Sequence, residues 1–432
     1  MSGGGSGFVP SGNGFIIEYA GAQLGAKAFM DLITDSSGNI YVSGYIESSG
    51  YYNALVAKFN SSGVIQNQKD YDTYSGNFFF KTIQRDSSGN IYLFGSRRVY
   101  AYSSTAFHVT KLNSSFVVQD QKDLTRTSGA RSANVSGGNR ASNSDLYVFG
   151  QQGIDLFAAK LNSSYSLTFA KEYSTGSVEG GPVSLGLSSG DAIIAFYHID
   201  SSGGVTTWKS NLAKLSSAGG IDFETTLASN ASPEYINALA VDSSNNIYGV
   251  GLTRTQSSTP DAWLFKTNSG GTVQWERYIG GSGGEFFRSV TTDSSGNVYA
   301  AGETDTGFSS YQLLIVKYNS SGTLQWQRTF SYSGGISQYE SAITHHSNKI
   351  YVTARRGSGT ETALVLVLPD DGSETGNFYG YSYASSSLSN GTDSHTETSL
   401  SLSVSTPSPA MTVYTTSSTE RTLTHTSQVK EI

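Results

Sequence analysis

Residues Asp293 to Gly302 read Asp-Ser-Ser-Gly-Asn-Val-Tyr-Ala-Ala-Gly. The first five are turn residues: Asp and Ser bond the local backbone, and Gly or Asn accepts a positive φ. The next five form a short apolar strand with an embedded Tyr. The same unit stands at Asp35 to Gly44 and at Asp86 to Gly95, and a variant runs from Asp242 to Gly251. Degenerate copies are Asp145 to Gly150, Asn348 to Val352 and Asp191 to Phe196. The anchors are then Tyr41, Tyr92, Tyr147, Ala195 or Phe196, Tyr248, Tyr299 and Tyr351, spaced by about 50 residues throughout.

Two further markers share this period. An apolar strand ends in Lys58, Lys111, Lys160, Lys214, Lys266 or Lys317, with Val367 in the seventh copy, and a polar turn such as Asn60-Ser61-Ser62-Gly63 follows. The next strand carries Lys69, Lys122, Lys171, Arg277 or Arg328. Each unit therefore holds four strands, a to d. Four antiparallel strands per 50 residues make one propeller blade, whereas a β-solenoid needs a much shorter period. The expectation is an all-β, seven-bladed β-propeller of four-stranded antiparallel blades over residues 15–384. It is preceded by a Gly-rich arm (1–14) and followed by a Ser/Thr-rich extension (385–432).

The run Tyr278-Ile279-Gly280-Gly281-Ser282-Gly283-Gly284, followed by Asp293 to Thr304, resembles the bacterial seven-bladed β-propeller repeat (SBBP) family. Ala262 to Asn268 is similar to that family's strand c. The resemblance spans residues 15 to 383, and it is strong in the fifth and sixth units and faded in the fourth. It implies the propeller and no fixed activity.

Ring closure requires a terminal strand. Phe15 to Tyr19 and Asn377 to Tyr383 both read as strand d, giving eight candidates for seven places. The N-terminal one is favoured as the clasp, leaving the other to pair elsewhere or to extend the same sheet. In the extension, Leu400, Leu402 and Val404 alternate with Ser as an edge strand would, and Met411, Val413 and Tyr414 fit a second strand of a hairpin. This tail is too polar to fold alone. It is expected to dock on other protein subunits, adding a strand to a partner's sheet.

Composition narrows the function. Charged residues make up 14% and the formal net charge is -7, so no basic surface for nucleic acid is expected. Cysteine is absent, which excludes disulfides and thiolate metal sites. The start, Met1 to Gly7, has neither the cationic nor the apolar part of a secretory signal, and no 18-residue apolar run is present, so membrane insertion is not expected. Asp-Ser-Ser-Gly-Asn lacks the alternating ligands and distant Glu of a calcium loop. The six His show no zinc spacing, and no nucleophile elbow or phosphate loop occurs. No metal, no cofactor and no enzymatic activity are expected, although a carboxylate pair distant in sequence would escape this reading. The recurring Lys and Arg read as protection of an exposed sheet edge. Trp275 and Trp326, equivalent in two strands d, read as blade packing.

The a–b and c–d turns are uniform and share one face, while the b–c and d–a connections vary and share the other. Variable loops on a rigid frame are where binding concentrates. Their Tyr, Ser, Gly and Asn content resembles that of antibody paratopes. The candidates there are Tyr51, Tyr52, Tyr74, Arg97, Arg98, Tyr100, Tyr102 and Trp208. The leading expectation is a structural or receptor-facing component of a bacteriophage tail or virion appendage, assembled in the host cytoplasm and touching a cell-surface glycan. The alternative is an extracellular or surface bacterial propeller that binds polysaccharide or protein, and a polysaccharide-degrading enzyme ranks third.

Overall fold

The computed structural model describes residues 14–431, except 21–26, 49, 73–75, 100–103, 127–132, 142–144, 153–154, 175–178, 201–206, 229–233, 254–258, 306–310, 334, 337–340, 358–360, 379, 393–395, 399–402, 406–410, 416–418 and 423–425. Beyond residue 392 it describes backbone only. No helix occurs among the described residues, so none crosses a membrane.

The seven units are seven antiparallel blades. Blades 1 to 6 occupy residues 27–72, 78–126, 133–174, 179–228, 235–280 and 285–332, and each runs a-b-c-d in space as in sequence. Blade 7 takes a, b and c from residues 343–369 and its strand d from Phe15–Ala20. Phe15 lies opposite Val367 and Tyr19 opposite Ala363. The N-terminal strand is thus the clasp.

Strands a of successive blades pack side by side around the axis. The core is a set of apolar layers between neighbouring blades. One layer joins blades 5 and 6 through Tyr248, Leu264, Phe287 and Val316, and another joins blades 6 and 7 through Tyr299, Ile315, Ile350 and Leu366. Strands b and c are buried on both faces, which is why they read as unbroken apolar runs instead of alternating ones.

Each recurring residue of the sequence unit has a local cause. Asp293 Oδ1 accepts the backbone N–H groups of Ser295 and Asn297, each at 2.9 Å. Its Oδ2 accepts Asn297 Nδ2 at 2.7 Å and the Tyr299 hydroxyl at 3.1 Å. Gly296 takes φ +77°, a region that costs other L-residues energy. Midway along strand b, Gly302 faces a bulge in strand a, where the register shifts between Phe287 and Ser289. A Cβ on Gly302 would sit 1.8 Å from the Phe286 carbonyl oxygen. Gly44, Gly95 and Gly251 face the same obstruction. In blade 4 the anchor expected at Ala195 or Phe196 is corrected to Ile193, which lies opposite Lys214. Phe196 takes the place of the Gly, and there strand a supplies the room instead: Gly181 takes φ +58° and the bulge spans Gly180 to Val183.

The recurring Lys of strand c lies directly across from the anchor Tyr and over its ring, as in Lys58 on Tyr41 at 5.2 Å and Lys317 on Tyr299 at 5.0 Å. The basic residue of strand d reaches the next blade: Arg277 Nε donates to Gly322 O at 2.6 Å and Arg328 Nε to Gly372 O at 2.8 Å. Trp275 and Trp326 donate their indole N–H groups to Ser320 O and Asp370 O on those same turns. The uniform c–d turns are therefore joints between blades.

The edge-protection reading of the strand-d residues is corrected, because strand d is not the edge. The C-terminal segment adds a fifth strand, e, to all seven blades in reverse order around the ring. Tyr381–Ser385 pairs with blade 6, Ser389–Thr392 with blade 5, Thr396–Thr398 with blade 4 and Ser403–Ser405 with blade 3. Met411–Thr415 then pairs with blade 2, Thr419–Thr422 with blade 1, and Thr426–Glu431 with the clasp strand in blade 7. Each is antiparallel to its strand d. The second candidate clasp, Asn377 to Tyr383, thus extends blade 6. The expected hairpin within the tail does not form among the described residues: Val404 lies opposite Tyr173, and Met411, Val413 and Tyr414 lie opposite Arg126, Leu124 and Asp123. Strand d of each blade offers a complete row of backbone partners, while a hairpin of Ser and Thr has no core to rest on. Leu400 and Leu402 lie outside the described residues.

Candidate binding face

Several expected loop residues stand on strands. Strand b of blade 1 runs Ile40–Ser48 and strand c starts at Tyr51, so Tyr51 and Tyr52 lie on a ribbon extended beyond the blade body. Arg97 and Arg98 end strand b of blade 2, Ile91–Val99, and Trp208 begins strand c of blade 4, Thr207–Leu215. Tyr51 is 45% exposed. Tyr74, Tyr100, Tyr102 and the Arg98 side chain lie outside the described part.

The structure brings Tyr52 and Trp208 into equivalent settings. Tyr52 packs against Tyr45 at 4.8 Å and against Phe79 of blade 2 at 5.3 Å between ring centroids. Trp208 packs against Tyr197 at 5.0 Å and against Tyr235 of blade 5 at 5.8 Å. The registers match: Tyr45 lies opposite Ala54, two residues past Tyr52, and Tyr197 lies opposite Ser210, two past Trp208. Phe79 and Tyr235 each precede the bulge of the following strand a. Each trio is one slot between two blades on the variable face.

The same slot recurs with other chemistry. In blade 7 it holds Arg355 and Glu361, which form an ion pair, and Arg355 Nη1 also donates to the Tyr45 hydroxyl at 3.1 Å. In blade 5 it holds Leu252 and Pro260 beside Phe286, and Arg288 lies over that ring at 5.2 Å. In blade 6 it holds Glu303 and Tyr311, with Glu303 bound to Arg288 at 2.9 Å. The backbone is nearly repeated while the side chains change from aromatic to ionic to apolar. Tyr52, Tyr197 and Trp208 are half-buried, and their polar tips make no hydrogen bond among the described residues. An apolar ring body with an unbonded polar tip suits a ligand that is itself amphipathic.

Arg97 is not free for a ligand. Its guanidinium pairs with Asp123, whose other oxygen meets His108 Nδ1 at 2.7 Å, and His108 Nε2 meets Thr110 Oγ1 at 2.7 Å. Burial pushes the His108 imidazolium down against the pull of Asp123. Burial would raise the Asp123 carboxyl, but His108 and Arg97 outweigh it and hold it low. A hydroxyl, an imidazole and a carboxylate in series have the order of a nucleophilic triad. Yet Thr110 is 0% and His108 1% exposed, so no substrate reaches them. Sequence reading missed this group because its members lie on two strands, a cross-strand register apart.

A second group joins blades 6 and 7 on the turn face. Asp293, His345 and Asp370 bring one ligand atom each within 4.8 Å of one another. Their oxygens already serve the protein: Asp370 Oδ2 meets His345 Nε2 at 2.9 Å and the Tyr299 hydroxyl at 3.2 Å, while Asp293 holds its turn. The His345 ring stacks on Tyr299. The group acts as a blade joint, like the Trp and Arg joints beside it.

Residues 274–309 match the β-propeller repeat family SBBP. That repeat unit is a seven-bladed propeller's unit here, and its bounds straddle two blades, from strand d of blade 5 to strand b of blade 6. Comparison with curated proteins found no match. Among solved structures, the chain is similar to the polysaccharide lyase Uly1, with 10% identity, 82% of this chain and 92% of that one covered, and a TM-score of 0.48. It is also similar to the K499G mutant of NanB sialidase from Streptococcus pneumoniae, with 15% identity, coverage of 84% and 71%, and a TM-score of 0.43. A third is the β-propeller domain of the Trilobed protease from Pyrococcus furiosus, with 11% identity, coverage of 79% and 94%, and a TM-score of 0.45. At such identities these likenesses bear on neither reaction nor ligand.

Proposed function

We propose that this protein is a non-enzymatic binding and structural component of a larger assembly, of the bacteriophage tail or virion appendage kind, whose variable face engages a cell-surface glycan. The observation that carries this reading is the repeated slot between blades: one backbone setting filled with different side chains, two of them aromatic trios in which the polar tips of Tyr52, Tyr197 and Trp208 make no hydrogen bond among the described residues. Sugar rings present apolar C–H faces rimmed by hydroxyls, which suits half-buried Tyr and Trp. A second feature supports the assembly role. The clasp strand starts at Phe15 and the last tail strand ends at Glu431, directly opposite each other at the turn face. Anything attached through either strand end leaves the variable face unobstructed.

The test uses the full chain with immobilised bacterial surface polysaccharides, namely lipopolysaccharide and capsular polysaccharide. Retention is expected, with Tyr52→Ala and Trp208→Ala each weakening it about tenfold, roughly the 1.4 kcal/mol of one lost stacking contact, while the thermal midpoint stays within a few degrees. Accumulation of reducing ends or unsaturated sugar would identify an enzyme instead. No retention by any polysaccharide, together with absence of the chain from purified particles of its source, would remove the reading.

A further inference from the structure

We infer that the outer edges of the seven strands d form one continuous strand-docking track, and that the C-terminal segment is a strap that closes over it last and locks the ring.

The pairing order carries the argument. Each strand e pairs with a strand d that precedes it in sequence, the one on blade 6 also pairing on its outer edge with Gly376–Phe378, and the strap passes the blades in the order 6, 5, 4, 3, 2, 1, 7. Its last segment, Thr426–Glu431, pairs with the clasp strand, whose opposite edge pairs with strand c of blade 7. That final row therefore requires a ring that has already closed. Once made, it holds the clasp by backbone bonds on both edges. The registers are Phe15 to Tyr19 against Val367 to Ala363, and Phe15 to Ala20 against Glu431 to Thr426. Opening the ring at blade 7 then requires the strap to peel first.

Composition fits the same role. The strap is rich in Ser and Thr and poor in apolar residues, so its order comes from main-chain pairing and not from a core of its own. Without it, seven strand edges would lie open on one molecule. Open edges pair with other chains, and the partner nearest to hand is a second copy.

The test compares the full chain with one ending at Ser385, which keeps the blade 6 strand e and loses the other six. Unfolding in guanidinium is followed by the emission of Trp208, Trp263, Trp275 and Trp326. The shortened chain is expected to unfold at least tenfold faster and to self-associate by light scattering, while the full chain is monomeric. Equal unfolding rates within twofold, with both chains monomeric, would overturn the inference. A double variant guards against a shortened chain that fails to fold. Ala20→Cys with Thr426→Cys places one disulfide between the strap end and the clasp, in a chain with no other cysteine. Its oxidised form is expected to unfold at least tenfold more slowly than its reduced form. Equal rates for the two forms would show that the strap does not gate ring opening.

Discussion

Individual residues carry the repeat because each meets the same physical demand in blade after blade. Gly302 is the sharpest case, since the bulge of strand a drives the Phe286 carbonyl into the space a Cβ needs. Gly302→Ala is expected to destabilise the protein by on the order of 3 kcal/mol, read as a lower denaturant midpoint. The equivalent Phe196 already carries a side chain, so Phe196→Ala should instead show an ordinary core loss of about 3–5 kcal/mol. The turn carboxylates respond to acid. Burial opposes the charge on Asp35, Asp242 and Asp293, but the bonds from the turn Asn, the backbone N–H groups and the Tyr hydroxyl outweigh it and hold each below the usual carboxylate range. Such groups add stability above the unfolded carboxylate pKa, near 4, and that stability is lost as pH falls through the folded values. Asp293→Asn should therefore flatten part of the acid limb of a stability-against-pH curve.

Asp31 behaves oppositely. It sits on strand a of blade 1 and accepts the backbone N–H of Ile83 in blade 2 at 2.9 Å and that of Leu32 at 2.8 Å. Burial between the two blades raises its carboxyl to about 7, against those two bonds. The folded state then holds a proton that the unfolded chain releases near pH 4, so this group costs stability as pH climbs from about 4 to about 7. Asp31→Asn is expected to remove that slope, and chemical denaturation at pH 4.5 and pH 7.5 measures it.

Elements take their character from what covers them. Strands b and c are buried on both faces, strand a turns toward the axis, and strand d is covered by the strap. A proline in one strand e removes a ladder bond in one blade only. Thr412→Pro in blade 2 is expected to raise amide exchange along Val118–Arg126 by at least tenfold while strands d of blades 4 and 5 keep their protection. Exchange rising uniformly in all blades would show instead that the strap acts as one indivisible unit.

At the scale of the whole molecule, the ring is made of local hairpins closed by one very distant pairing. The clasp strand Phe15–Ala20 meets Thr362–Pro369 across most of the chain. Loop-closure entropy makes such a contact late and slow to form. Replacing Ile17, fully buried opposite Val365, by Pro should slow refolding and speed unfolding, because the ring loses its clasp and the strap loses its last partner.

The chain itself spelled out the blades. A turn of Asp-Ser-Ser-Gly-Asn, an anchor Tyr, a Gly at the bulge and a Lys across from the Tyr are local requirements, so they recur at a fixed spacing and can be read without coordinates. The N-terminal clasp was legible for the same reason, since Phe15 to Tyr19 carries the pattern of a strand d. The aromatic slots were half legible. Tyr52 and Trp208 stand out by type, but Tyr45, Tyr197, Phe79 and Tyr235 join them only through cross-strand register and the neighbouring blade. The strap was not legible as a strap. Its residues have the polarity of a free tail because they are held by backbone bonds, and backbone bonds leave almost no mark on side-chain identity. Which edge a polar strand covers is decided by where the tertiary fold leaves a row of unpaired N–H and C=O groups, and only the closed ring shows that row running around all seven blades.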